Sequence, residues 1–156
     1  MTLPRIATLA ILLITAAGAW APGANAQQKG FGLGVILGEP TGFSFKGWTG
    51  PATAIDAALA WSFVDETTFH VHVDYLWHND AITRKPEMPV YYGIGGRIKT
   101  GGHGDDRIGV RAVGGLGYYI PDTPIDLFVE IAPILDFAPS TDFSVNGGIG
   151  ARYFFR

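Results

Sequence analysis

No cysteine occurs in the 156 residues. That excludes disulfides, thiolate metal ligands and a lipid anchor on a cysteine, even in an oxidising compartment. Charge is scarce too. Charged residues make up 16% of the chain, against about 25% in a typical soluble domain. There is no basic patch and the formal net charge is −3, so nucleic acid is not an expected partner. Beyond residue 26 no apolar run approaches the roughly 18 residues that a spanning helix needs. Nucleophiles are few: past that point the only serines are Ser44, Ser62, Ser140 and Ser144. None sits in a nucleophile elbow or close in sequence to a histidine, which leaves no legible Ser-His-acid arrangement.

What is present begins with an export signal. Arg5 is the lone basic residue of a short leader, Ile6 to Ala19 is an apolar run, and Ala24-Asn25-Ala26 is an A-x-A cleavage site. Two segments are therefore expected: a signal peptide over 1–26 and a single domain over 27–156, exported through the Sec pathway. Cleavage removes Arg5 alone among the charged residues, leaving ten basic against fourteen acidic residues, a net of −4.

The mature part is rich in glycine (22 in the chain) and aromatics (13%), and it alternates. Its last stretch carries Phe143, Val145, Gly147, Ile149, Ala151, Tyr153 and Phe155 in one row and Ser144, Asn146, Gly148, Gly150, Arg152 and Phe154 in the other. Side chains of successive strand residues point to opposite faces, so this is a strand with one apolar and one polar face. The same pattern recurs in seven earlier stretches: 30–38, 43–48, 53–64, one centred on 69–78, 90–99, 107–119 and 125–137. Turn chemistry separates them: Glu39-Pro40-Thr41-Gly42, Thr49-Gly50-Pro51, Asp65-Glu66-Thr67, the longest loop over 79–89, the Gly/Asp loop over 100–106, Pro121-Asp122-Thr123-Pro124 and the residues 138–141. The expected fold is all-β: an eight-stranded, antiparallel, up-and-down transmembrane β-barrel.

Period two alone does not separate a membrane barrel from a soluble, lipocalin-type one. The polar row does. A water-facing row would carry many Lys, Glu, Thr and Gln. Here it carries Gly, Ala and Ser, broken by single charges and by Tyr91, Tyr119, Phe128 and Phe154, which suits a narrow interior. The other row is almost free of charge over the strand centres, as expected where a Lys or Arg at the bilayer midplane costs roughly 2–4 kcal/mol. Aromatics on that row (Trp61, Phe63, Tyr75, Trp77, Tyr118, Phe137, Tyr153, Phe155) fall near strand ends, where membrane barrels place their girdles.

Eight strands enclose a lumen about wide enough for side chains alone. The inward row carries Lys46, Arg97, Arg111 and Arg152 with Asp56, Asp74, Glu130 and Asp136. In so apolar a space these groups are expected to pair across the lumen as a structural polar network. His70 and His72 join it. An H-x-H pair on one strand face can bind zinc or copper, yet no third ligand is legible. The histidines are instead expected to be satisfied by carboxylates such as Asp74. Gly93-Ile94-Gly95-Gly96 matches a phosphate loop by letter only, since it sits inside a strand with no helix after it. No catalytic, cofactor or metal residue is assigned.

Three segments carry a resemblance: Gly34 to Lys46 (GVILGEPTGFSFK), Tyr91 to Arg97 (YYGIGGR) and Asn146 to Phe154 (NGGIGARYF). They resemble an uncharacterised family of small bacterial outer-membrane β-barrel proteins, and in general form the chain is similar to the OmpA/OmpX-type eight-stranded barrels. The resemblance implies the outer membrane as location, its lipid as surroundings, and the barrel-assembly machinery as a partner that reads the C-terminal strand. It implies no activity. The expectation is a non-enzymatic, monomeric barrel with a structural or small-ligand-binding role. A narrow, porin-like channel or transporter is the alternative, and a lipid-modifying enzyme a more remote one. The short loops argue against an adhesin.

Overall fold

A computed structural model describes residues 28–39, 41–62, 68–101 and 106–155. Among them are eight strands: β1 (Phe31–Gly38), β2 (Gly42–Trp48), β3 (Thr53–Ser62), β4 (Thr68–Asn79), β5 (Val90–Thr100), β6 (Arg107–Tyr119), β7 (Ile125–Ala138) and β8 (Asp142–Phe155). Each pairs antiparallel with its sequence neighbours, and β1 pairs with β8, so the sheet closes into an up-and-down barrel. Closure leaves no open edge. The strands begin and end within one or two residues of the alternating stretches. The expected leader with its cleavage site, Pro40, Phe63, Val64, the turn at 65–67, residues 102–105 and Arg156 lie outside the described residues.

The faces follow the alternation. The outward row is exposed and apolar, from Leu33, Val35 and Leu37 on β1 to Val129 and Ile131 on β7 and Ile149 on β8. The inward row is buried. Large inward side chains lie over glycines of neighbouring strands. Tyr91 covers Gly115, Phe128 covers Gly150, Phe154 covers Gly32 and Ile36 covers Gly148, each so closely that a Cβ on the glycine would collide with the ring or branch. Interior density here comes from pairing large with small across the ladder. A core of Ile36, Ala58, Leu76, Tyr91, Val113, Phe128 and Ala132 results.

The turn after β1 depends on its own chemistry. Gly38 has φ of +135°, a region that disfavours any side chain. The Thr41 hydroxyl donates to Gly38 O (2.9 Å) and accepts from Gly38 N–H (3.1 Å). The longer β4–β5 connection is held by Asn79, whose side-chain oxygen accepts from Ala81 N–H at 2.9 Å, and by Thr83, whose hydroxyl donates to Met88 O at 2.6 Å. Its end runs beside β6, with Gly117 N–H donating to Pro89 O (2.9 Å) and Tyr119 N–H to Glu87 O (2.7 Å). Pro133 sits inside β7. The β6–β7 ladder is interrupted there, between Arg111/Ile134 and Gly114/Ile131, as expected for a residue with no N–H to give.

Candidate functional site

Among the described residues, chemistry-bearing side chains gather in the lumen. Lys46, Asp56, His70, His72, Asp74, Arg97, Arg111, Asp136 and Arg152 are all buried there, and Glu130 lies among them with its side chain 7% exposed. They are distributed among three arginine-centred knots and one lysine.

Arg97 on β5 makes a two-pronged pair with Asp136 on β7, through Nε (2.9 Å) and through Nη2, and Nη2 also reaches Ser144 Oγ at 3.3 Å. Fork-to-carboxylate pairing of this kind is among the stronger charge-assisted arrangements. At the adjoining rim Arg107 pairs with Asp142 at 3.0 Å.

Arg111 on β6 is the second centre. Its Nε lies 3.1 Å from Asp74 Oδ2, its Nη2 3.4 Å from Glu130 Oε1, and its Nη1 2.8 Å from His72 Nδ1. A guanidinium only donates. His72 therefore accepts at Nδ1 and carries its proton on Nε2, 3.8 Å from Asp74 Oδ2. The Tyr91 hydroxyl donates to Glu130 Oε2 at 3.0 Å.

Arg152 on β8 is the third. It donates through Nε to Ser44 Oγ (2.9 Å), through Nη2 to Asp56, and lies 3.6 Å through Nη1 from Asp126 Oδ2. Its guanidinium stacks 3.8 Å over the Phe128 ring, a desolvated cation–π contact.

Lys46 departs from expectation. Its register partner across β2–β3 is Asp56, but Asp56 is taken by Arg152. The ammonium instead lies 2.7 Å from His78 Nε2, with the rings of Trp48 and Tyr91 at 4.8 and 5.4 Å. The His78 ring packs tilted against Trp48 at 4.5 Å, and its Nδ1 lies 3.3 Å from Ala52 O. That fixes the tautomer: Nδ1 donates to the carbonyl and Nε2 accepts from the lysine.

Two readings from the sequence need correction. The histidines are not satisfied by carboxylates. His72 is held by Arg111 and lies 3.4 Å from His70 Nε2, while its distance to Asp74 exceeds hydrogen-bond length. A neutral imidazole can accept from a guanidinium, and the carboxylates are occupied by arginines. The inward row also carries Asp126, which the expected network left out. It is 1% exposed and faces Arg152. Its signal was in the sequence, as the second residue of the seventh stretch on the inward parity. Tyr91, Ser44, His78 and Ser144 complete the network. They could not be read from the sequence, because their roles depend on which strands face one another across the lumen.

Among the described residues no group of three or more His, Cys, Asp or Glu is placed to hold a metal ion. A shallow apolar dent of about 220 Å³ lies outside the barrel beside Gly96, between Val71, Val73, Ile98 and Ile108. The lumen itself is filled with side chains, and its arginines bind carboxylates of this chain instead of offering themselves to a ligand.

A closed, eight-stranded antiparallel barrel with an apolar exterior and a charged, side-chain-filled interior has the form of the OmpA/OmpX-type barrels. Among solved structures the chain is similar to the N-terminal β-barrel domain of Pseudomonas aeruginosa OprF, with a TM-score of 0.57 over 80% of this chain and 95% of that one. The two are 12% identical in sequence, so the likeness concerns the fold. No family model matches the chain, and no curated protein matches it.

Proposed function

We propose that this chain is a small outer-membrane protein that spans the bilayer with its eight strands after removal of residues 1–26. The single observation that carries the reading is the partition of charge between the two faces. The arginines and carboxylates in the middle of the barrel point inward and pair with one another, while the described outward row from rim to rim is aliphatic and aromatic. Water outside would make that exterior a very large exposed apolar surface. Hydrocarbon outside makes it the favourable one.

The role we assign is non-enzymatic: a monomeric, structural or small-ligand-binding barrel whose lumen is plugged by its own ion pairs. Support comes from the three arginine knots, which consume the inward carboxylates. The resemblance to outer-membrane barrels adds Sec export and delivery to the assembly machinery through the β8 strand. The charged lumen also favours one second reading, a narrow porin-like channel.

The test is heat-modifiability of the protein in outer-membrane fractions, followed by planar-bilayer recording. A mobility shift between boiled and unboiled samples with no steady conductance supports the plugged barrel. The shift with stable conductance favours the channel. A soluble periplasmic protein without the shift would overturn the membrane reading. Mass spectrometry of lipid A with and without the protein tests the enzymatic alternative, which an unchanged acyl pattern sinks.

A further inference from the structure

Six groups that take up and release protons form a column on the β2–β4 side of the lumen. His78 stands half-buried at the rim that carries both described chain ends, with its Nε2 2.7 Å from Lys46 Nζ. Lys46 faces Asp56 in register, and Asp56 faces Asp74. Asp74 Oδ2 lies 3.8 Å from His72 Nε2, and His72 Nδ1 lies 3.4 Å from His70 Nε2. His70 ends the column, opposite the half-buried Lys99 in register. His70 and His78 are eight positions apart on β4, about 26 Å of strand, so the column covers most of an apolar band about 25 Å tall. Leu76 fills the β4 position between Asp74 and His78, and the column passes round it through Asp56 and Lys46.

The contacts in this column join like with like. Lys46 meets an imidazole, Asp56 a carboxylate and His72 a second imidazole. Directly opposed like charges destabilise a sheet. Each such pair is most stable when one member is neutral, which sets a proton acceptor beside a proton donor. The arginines stand apart. Arg97, Arg111 and Arg152 lie on β5, β6 and β8, each against a carboxylate, and a guanidinium does not give its proton up. Asp74, 2% exposed at the middle of the column, keeps Oδ1 without a hydrogen-bond partner among the described residues. Buried polar atoms left open in this way are where water enters a protein.

We propose that the lumen passes protons, and no other ion, from rim to rim along His78, Lys46, Asp56, Asp74, His72 and His70. This rests on the membrane reading above and gives the plugged barrel a transported species. Each hop hands one proton onward and takes one from the group behind, so the column ends as it began. A hydrated ion needs an open bore, which the side chains filling the lumen block. A proton needs only donors and acceptors in series, and ionisable groups aligned within a membrane span supply them.

The test uses the mature chain refolded into phosphatidylcholine vesicles that enclose a pH-sensitive dye, with potassium and valinomycin to clamp the voltage. After an external acid step, wild-type vesicles should acidify roughly tenfold faster than protein-free ones, and Asp74→Asn or His72→Gln should remove most of that gain. Both substitutions keep a hydrogen-bond acceptor and exchange no proton. Asp142→Asn, at the rim and outside the column, should acidify as wild type does. A chloride-sensitive dye in parallel vesicles should report no chloride entry. The unboiled mobility checks that each variant is folded, and His72→Gln serves alone if Asp74→Asn is not. Wild-type acidification no faster than that of protein-free vesicles overturns the proposal, as does an unchanged rate in folded His72→Gln. Chloride entry that keeps pace with acidification would mean an aqueous pore, which overturns the proposal in favour of the channel. All three outcomes leave the membrane reading standing. Wild-type protein that never reaches the folded mobility with vesicles, yet folds in buffer alone, overturns the membrane reading and this proposal with it.

Discussion

Arg111 Nη1 lies 2.8 Å from His72 Nδ1, although the two residues stand on strands separated by β5 and 39 positions apart in sequence. The same guanidinium reaches Asp74 on β4 and Glu130 on β7. One side chain thus ties three strands through the middle of the barrel.

Removing that centre should be costly. Arg111→Ala leaves Asp74 and Glu130 buried without their cation, and breaking a buried pair by deleting one partner typically costs about 3–5 kcal/mol. Urea unfolding in vesicles, followed by the mobility shift, should show a midpoint well below wild type. A change within error would mean that water already carries the charge of Asp74.

Replacing the centre together with its partners should cost much less. Arg111→Met combined with Asp74→Asn and Glu130→Gln removes charge of both signs, and such exchanges are often near neutral. The triple variant should unfold at higher urea than Arg111→Ala alone. A triple variant weaker than the single one would show that the knot stabilises beyond cancelling its own burial.

Glycine positions should divide by face. Gly115 lies under the Tyr91 ring, where a Cβ would collide with ring atoms, while a Cβ on Gly114 meets nothing within 4 Å. Gly115→Val should cost roughly 1–3 kcal/mol or more through overpacking. Gly114→Ala should be neutral or slightly stabilising, because it lowers the freedom of the unfolded chain. Comparing their urea midpoints checks both.

The outward row can be probed with charge. Ile131 is 59% exposed in the middle of β7. Ile131→Arg should cost roughly 2–4 kcal/mol in a bilayer and almost nothing if that face meets water. A variant as stable as wild type in vesicles would argue against lipid at this position.

The leader expected over residues 1–26 makes a separate prediction. Protein recovered from the envelope should begin at Gln27, as read by N-terminal sequencing. Retention of Arg5 in the mature protein would show an uncleaved anchor.

Strands β1 to β8 were legible because a strand alternates every two residues and the environment on its two sides is opposite. Phe69, Val71, Val73, Tyr75 and Trp77 against His70, His72, Asp74, Leu76 and His78 leave only one way to face β4. The inward placement of the ten network residues follows from the same parity. Their partners did not follow. Lys46 lies beside Asp56 in register and bonds His78, Asp56 goes to Arg152, and His72 goes to Arg111 instead of Asp74.

The alternation of the chain by itself therefore determined strand number, face and topology, because these rest on local periodicity and short turns. Only the tertiary structure decided who pairs with whom in the lumen. Many of those contacts skip one or two strands around the barrel, and they depend on shear, side-chain length and competition for the same few carboxylates, none of which has a local signature in the sequence.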